Sequence, residues 1–179
     1  MWRTAIAVVA AGAAVVGILL VPLPFNDITR IRNTIEIRQP VERVFDYVTT
    51  PGNWPRWHPS SQAVHGALDH PLQVGEQVTE DFVVAGRQGQ VIWTVVERTR
   101  PSHWKIAGSI QGRPAGTVQY DLTGIPDSQG EPATHFEREF DYAAPNLLFS
   151  ILNRVSLRGQ IERESAAAVQ GLKRELEPR

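Results

Sequence analysis

From Ala5 to Val21 the chain carries no charged or strongly polar side chain (AIAVVAAGAAVVGILLV), and Pro22, Leu23, Pro24 and Phe25 extend the run to Asn26. About 20 apolar residues at about 1.5 Å each cover a hydrocarbon core of about 30 Å. Trp2 and Phe25 fall where interfacial aromatics are favoured, and Arg3 can reach headgroups. A cleaved signal peptide wants a shorter run with small residues after it, whereas Pro-Leu-Pro-Phe-Asn-Asp follows here. A buried core helix fits poorly too, because Ala, Val and Gly on every face leave no polar side for water. The expectation is an uncleaved transmembrane anchor over residues 1–25, touching the bilayer through residues 5–25. Arg3 before the run and Arg30 and Arg32 after it nearly balance the positive-inside rule. The short Arg-bearing head is the layout of an export signal, which puts the domain of this single-pass protein on the extracytoplasmic side.

Beyond residue 25 the rhythm changes. Residues 26–33 read as a linker and 34–177 as one domain, with no internal repeat. Thr34–Arg38 alternates polar and apolar as a half-buried strand. Pro40 then opens a helix in which Val41, Val44, Phe45 and Val48 recur at helical spacing. Pro51-Gly52-Asn53 breaks that helix, and Trp54–His58 form a short turn. Strands follow at 78–84, 91–97, 104–106, 117–122 and 134–142, punctuated by Gly and Pro and too closely spaced for crossover helices, so the pairing is antiparallel. After Pro145 a helical stretch runs to about Leu176. Leu148, Leu152, Val155, Gly159, Glu162, Ala166, Val169 and Leu176 trace one face, bulky at first and then thin and partly polar, as suits a helix closing over a cavity. A helix docked on a flat sheet with large partners opposite is the plain alternative.

Composition narrows the function classes. The chain has 179 residues and a formal net charge of −1, so no basic field is available for nucleic acid. It has no cysteine, which removes disulfides, thiolate nucleophiles and zinc–sulfur sites. The five histidines show no metal-ligand spacing, no cofactor motif is present, and neither a metal nor a cofactor is expected.

Residues 40–59 (PVERVFDYVTTPGNWPRWHP) carry a resemblance. They look like the signature of the polyketide cyclase/dehydrase and lipid-transport group of the START superfamily, which also holds the birch-pollen-allergen-like proteins. Pro40, Val44, Phe45, Pro51, Asn53, Trp57 and Pro59 occupy its positions. The resemblance implies an α+β helix-grip fold, a seven-stranded antiparallel sheet wrapped around a long C-terminal helix with an apolar pocket between them. It leaves function open, because the group spans ligand carriers, aromatase/cyclases and stress proteins.

The expected ligand is a small hydrophobic molecule, such as a lipid, quinone or polyketide, in a cavity of a few hundred Å3. Trp57, Phe82, Trp93, Trp104, Tyr120, Phe136, Arg138, Phe140 and Leu152 are the candidate binding residues, although aromatic residues also simply pack cores. Strand parity puts Glu80 with Val78 and Phe82, and Arg138 with Phe136 and Phe140, so both charges point inward. Each then needs a partner or a polar ligand. They form a structural ion pair, reach water at strand ends, or, for Arg138, hold an anionic or carbonyl head group. If the domain is instead an aromatase/cyclase or dehydratase, His58, Glu80 and Arg138 are the acid–base and oxyanion candidates. A structural module with a vestigial pocket would show a filled interior.

Overall fold

The computed structural model describes residues 17, 19–21, 28–144 and 146–177. Seven strands form one antiparallel sheet in the order β1-β7-β6-β5-β4-β3-β2. They are β1 (Ile28–Ile37), β2 (Ser61–Gly66), β3 (Gln77–Val84), β4 (Arg87–Thr99), β5 (His103–Ile110), β6 (Arg113–Pro126) and β7 (Pro132–Ala143). Helix α1 (Val41–Thr49) and the single turn α2 (Trp54–Trp57) separate β1 from β2. After β7 come α3 (Leu147–Leu152), a π-helical turn (Asn153–Leu157) and α4 (Arg158–Leu176), which runs against the concave face of the sheet. This is the helix-grip arrangement.

The Pro-Gly-Asn-Trp turn has a local physical cause. A helix leaves its last carbonyls without partners, and here side chains supply them. Thr49 and Thr50 hydroxyls donate to Phe45 O and Asp46 O. Asn53 Nδ2 donates to Tyr47 O and Trp54 Nε1 to Val48 O, at 3.1 and 2.9 Å. The motif therefore caps α1 and fixes α2 beneath it. Gly171 of α4 meets α2 so closely that a Cβ there would lie 2.3 Å from Trp57 O.

Three features differ from the sequence expectation. The linker expected over 26–33 is largely strand, because β1 begins at Ile28 and pairs with β7 along its whole length (Ile28 opposite Ala143, Ile37 opposite Thr134). On its outer face Arg30 meets Asp141 and Glu139, and Arg32 meets Glu139 and Glu137. Strand β2 is a further strand that the sequence pattern does not mark. The C-terminal stripe is out of phase, because the π-helical turn adds a residue to one turn and rotates the helix beyond it. Val155 is 78% exposed. The buried face of α4 is Ile161, Ser165, Ala168, Val169, Gly171, Leu172 and Leu176. The stripe is still thin and polar in the middle, at Ser165 and Ala168 rather than at Gly159 and Glu162. The anchor expected over residues 1–25 falls almost wholly outside the described residues, among which no helix is long and apolar enough to cross a membrane.

Candidate ligand-binding site

The inward positions of the central strands change character along their length. Towards α1 and α2 they are Trp104 on β5, Leu122 and Tyr120 on β6, and Phe136 on β7, all buried. Trp104 stacks on Tyr120 with ring centroids 5.2 Å apart and meets Trp54 edge-on; Tyr120 leans on Phe136. Towards the other end the same faces carry glycine. Gly108 lies opposite Trp93 and Gly89 opposite Phe82, and a Cβ at either would sit 2.6 or 2.7 Å from the facing ring. The aromatic rings therefore lie flat over bare backbone, the pairing known to rescue glycine in strands. Space that side chains would have filled is left open.

The result is a cavity of about 1740 Å3 between the sheet and α4, larger than the few hundred Å3 expected. The excess arises because α4 closes only part of the sheet, and the hairpin tips beyond it leave a mouth. Six of the nine candidate binding residues line it, namely Trp57, Phe82, Trp93, Tyr120, Arg138 and Phe140, together with His58 and Glu80. Three lie elsewhere. Trp104 and Phe136 are wholly buried in the solid part of the core: Trp104, opposite Tyr120, is enclosed by Tyr120 and Trp54, and Phe136 lies one inward position beyond Arg138 towards α1. Leu152 sits at the end of α3 and is turned away from the wall.

At the inner end of this apolar chamber lies a polar cluster. Arg138 is 4% exposed. Its Nη1 donates to Ser165 Oγ at 2.8 Å, and its Nη2 donates to His58 Nε2 at 3.1 Å. Ser165 Oγ in turn donates to Asn33 Oδ1, which ties β7, α4 and β1 together. Glu80 does not take up the arginine. Its Oε2 accepts from Trp93 Nε1 at 2.6 Å, so the inward charges form two neighbouring systems rather than one ion pair. The guanidinium has five N–H donors; two go to these partners, and the Tyr120 hydroxyl lies within reach of another. Its Nε is covered and unpartnered, as are His58 Nδ1 and Trp57 Nε1.

Burial sets the protonation states. Burial first, then the adjacent Arg138 charge, holds His58 well below the usual histidine range, so its ring is neutral. With Nε2 accepting from Arg138, the proton sits on Nδ1. Burial raises Glu80 above the ordinary carboxylate range, against the opposing pull of Ser61, Trp93 and Arg138. Burial likewise pushes Tyr120 up to about 12. The cluster is thus rich in donors, with a single obligate cation.

Sequence reasoning missed Asn33, Glu164 and Ser165. The Glu164 carboxylate accepts from the backbone N–H of Ala85 at 3.1 Å, clasping the β3–β4 hairpin tip to α4 beside the cavity. The available signal was a Glu-Ser pair within the apolar stripe that the correct helical phase reveals (Ile161, Ser165, Ala168, Leu172).

Comparison with known proteins agrees with this architecture. The family described as polyketide cyclase / dehydrase and lipid transport matches residues 29–177. A relative from Penicillium ochrochloron, "Penitrem biosynthesis cluster 1 protein I", is 26% identical over 140 residues, covering 69% of this chain and 92% of that protein. The Zhui aromatase/cyclase from Streptomyces sp. R1128 superposes with a TM-score of 0.63 at 13% identity, covering 84% of this chain and 94% of that one. A conserved protein from Geobacillus kaustophilus gives 0.63 at 16%, covering 83% and 95%. A START superfamily protein from Mycobacterium smegmatis gives 0.53 at 16%, covering 83% and 99%. These structural likenesses show the fold. The family match spans most of the sequence, and the chain belongs to the polyketide cyclase / dehydrase and lipid transport family.

Proposed function

We propose that the domain is a non-catalytic carrier for one elongated hydrophobic molecule whose head group accepts hydrogen bonds, such as a carboxylate, phenolate or quinone carbonyl. The observation that carries this reading is a buried guanidinium at the inner end of an aromatic-walled chamber, with donors to spare and no carboxylate bonded to it. The apolar walls supply affinity, and Arg138 supplies orientation. The apolar run Ala5–Val21 supports a membrane tether that keeps the chamber close to where such ligands partition, with the domain on the extracytoplasmic side.

One detail favours carriage over chemistry. A general base needs a free, reachable lone pair. His58 Nε2 is occupied by Arg138 and its Nδ1 is covered. The aromatase/cyclase alternative draws support from Glu80, whose raised pKa suits a general acid, and from the relative named for a biosynthetic cluster. A photoreactive diazirine fatty acid added to the full-length chain in vesicles tests the carrier reading. Cross-links should map to peptides bearing Phe82, Phe140 or Ile161 and should fall about tenfold in Arg138→Leu, the usual effect of one lost charge-assisted hydrogen bond. Labelling scattered over the outer sheet face, or equal in the variant, would contradict it.

A further inference from the structure

The end of the molecule at which the cavity opens carries a surface that the carrier reading alone does not explain. Helix α3 and the π-helical turn cross the mouth. Their inner side is committed: Phe149 and Leu157 line the cavity, and Asn153 is buried, accepting from Tyr142 Oη and donating to Thr29 Oγ1. A surface helix ordinarily turns polar residues to water on its other side. Here the outer side is Leu148, Ile151 and Val155, spaced three and four apart and 37%, 46% and 78% exposed. Ile110 at the β5–β6 tip and Ile28 at the start of β1 add further exposed apolar area at the same end.

Cations predominate on the segments that rim this end, beside Glu162 and Glu164 of α4. Residues 84–87, 110–114 and 146–158, the two hairpin tips and the crossing segment, hold four arginines (Arg87, Arg113, Arg154 and Arg158) and no carboxylate. Arg87 lies over the Phe149 ring, 5.6 Å from its centre, and Arg158 reaches Glu162 one turn further along α4. The chain also enters the domain here, because Ile28 pairs with Ala143, itself a cavity-lining residue. Only six residues separate Val21 from Ile28. The seven steps from Val21 to Ile28 span at most about 25 Å, so a bilayer holding Ala5–Val21 lies within that distance of the mouth.

We infer that this face docks on an anionic lipid bilayer, with Leu148, Ile151 and Val155 entering the interfacial region and the arginines meeting lipid phosphates, so that the cavity opens directly into the membrane. Apolar residues flanked by cations are the pattern of surfaces that lie in the interface plane. The ligand would then pass between bilayer and chamber without crossing water. The inference rests on the tethered-carrier reading for the placement of the bilayer.

The absence of cysteine makes the test direct. Single Val155→Cys and Gln129→Cys variants of the full chain, the second in the β6–β7 turn at the opposite end, are labelled with an environment-sensitive dye. Each is reconstituted in phosphatidylcholine vesicles with and without phosphatidylglycerol. The label at 155 should be quenched by lipid-borne nitroxide and shielded from iodide, more strongly with the anionic lipid, while the label at 129 stays open to iodide. Adding Arg113→Gln and Arg154→Gln should reduce the lipid quenching at 155 several-fold. Chain retained by the vesicles with the 155 label open to iodide would overturn docking and leave the tether standing. Chain lost from the vesicles would overturn both. A 155 label shielded from iodide and lipid quencher alike would show that protein covers the face, either a second copy or the chain's own N-terminal segment, and would overturn the bilayer as occupant.

Discussion

The two ends of the sheet obey the same alternation and reach opposite outcomes. At the end near α1 and α2 the inward residues are Trp104, Leu122 and Phe136, and three helices close over them. No space remains, and the aromatic rings stack. At the other end the inward positions include Gly89 and Gly108, the covering helix is displaced by a π-helical turn, and a chamber remains. Arg138 and Tyr120 sit at the boundary between them. The lesson is that a cavity here is a matter of what the strands leave out. Bare glycine backbone lets Phe82 and Trp93 lie flat as walls instead of projecting as filler.

The largest expected effect separates the ends by stability. Trp104→Ala should cost about 3–5 kcal/mol, because a wholly buried ring with two aromatic neighbours leaves a void that cannot collapse. Phe140→Ala, on the cavity wall, should cost about 1–2 kcal/mol, since its ring already borders open space. Equal losses in urea titrations would mean that the cavity is not open in solution.

Next in size is Gly171→Ala, which places a Cβ 2.3 Å from Trp57 O and must push α4 away from α2. Overpacking of this kind costs about 1–3 kcal/mol. It should also weaken the Arg138–His58–Ser165 cluster, because His58 comes directly after α2. Unchanged stability in thermal unfolding would show that α4 does not depend on this close approach.

The pH dependence of stability reads the boundary cluster itself. His58 is neutral when folded and titrates near its ordinary value, about 6.5, when unfolded. Below about pH 6.5 the unfolded chain therefore binds a proton that the folded one refuses. This contribution is present above that pH and is lost as the pH falls, by at most about 1.4 kcal/mol per pH unit. Glu80 acts in the other direction. Its raised pKa disfavours the folded state as the pH climbs from the ordinary carboxylate value through the raised one. Chemical denaturation between pH 7.5 and 5 should show the acid-side loss in the wild type and a flatter profile in His58→Gln. The same slope in both proteins would place His58 in water.

The smallest effect is the finest test of the glycine argument. Gly108→Ala should tilt Trp93 off the sheet, change the near-UV circular dichroism and cost about 1 kcal/mol. Gly124→Ala, at the closed end, meets only Val41 at 3.6 Å, an ordinary contact, and should be neutral. Matching responses at the two positions would remove the distinction.

The same division governs how much of the molecule is legible in its sequence. Alternation alone places Trp104, Tyr120, Phe136, Arg138 and Phe140 on the inner face, since parity is a local property of a strand. It cannot tell filler from wall, because that depends on which end of the sheet a helix reaches. Strand β1 reads as a linker up to Asn33 because two of its three first inward residues, Thr29 and Asn33, are polar and serve Asn153 and Ser165. The short edge strand β2 is hidden by the register shift between Ser61 and Ala63. The phase of the last helix is lost at a π-helical turn that leaves no compositional mark. The Arg138 cluster is half legible: the inward charge can be read, but Ser165 and Asn33, far away in sequence, cannot.

The most direct test of the account is native mass spectrometry of the full-length chain released from mild detergent. A single adduct of a few hundred daltons at one-to-one stoichiometry is expected, the size of molecule such a cavity encloses. It should be strongly reduced in Arg138→Leu and retained in His103→Gln, whose ring lies on the outer face with Glu97 and Asp121. A bare protein mass, or an adduct indifferent to Arg138, would contradict it.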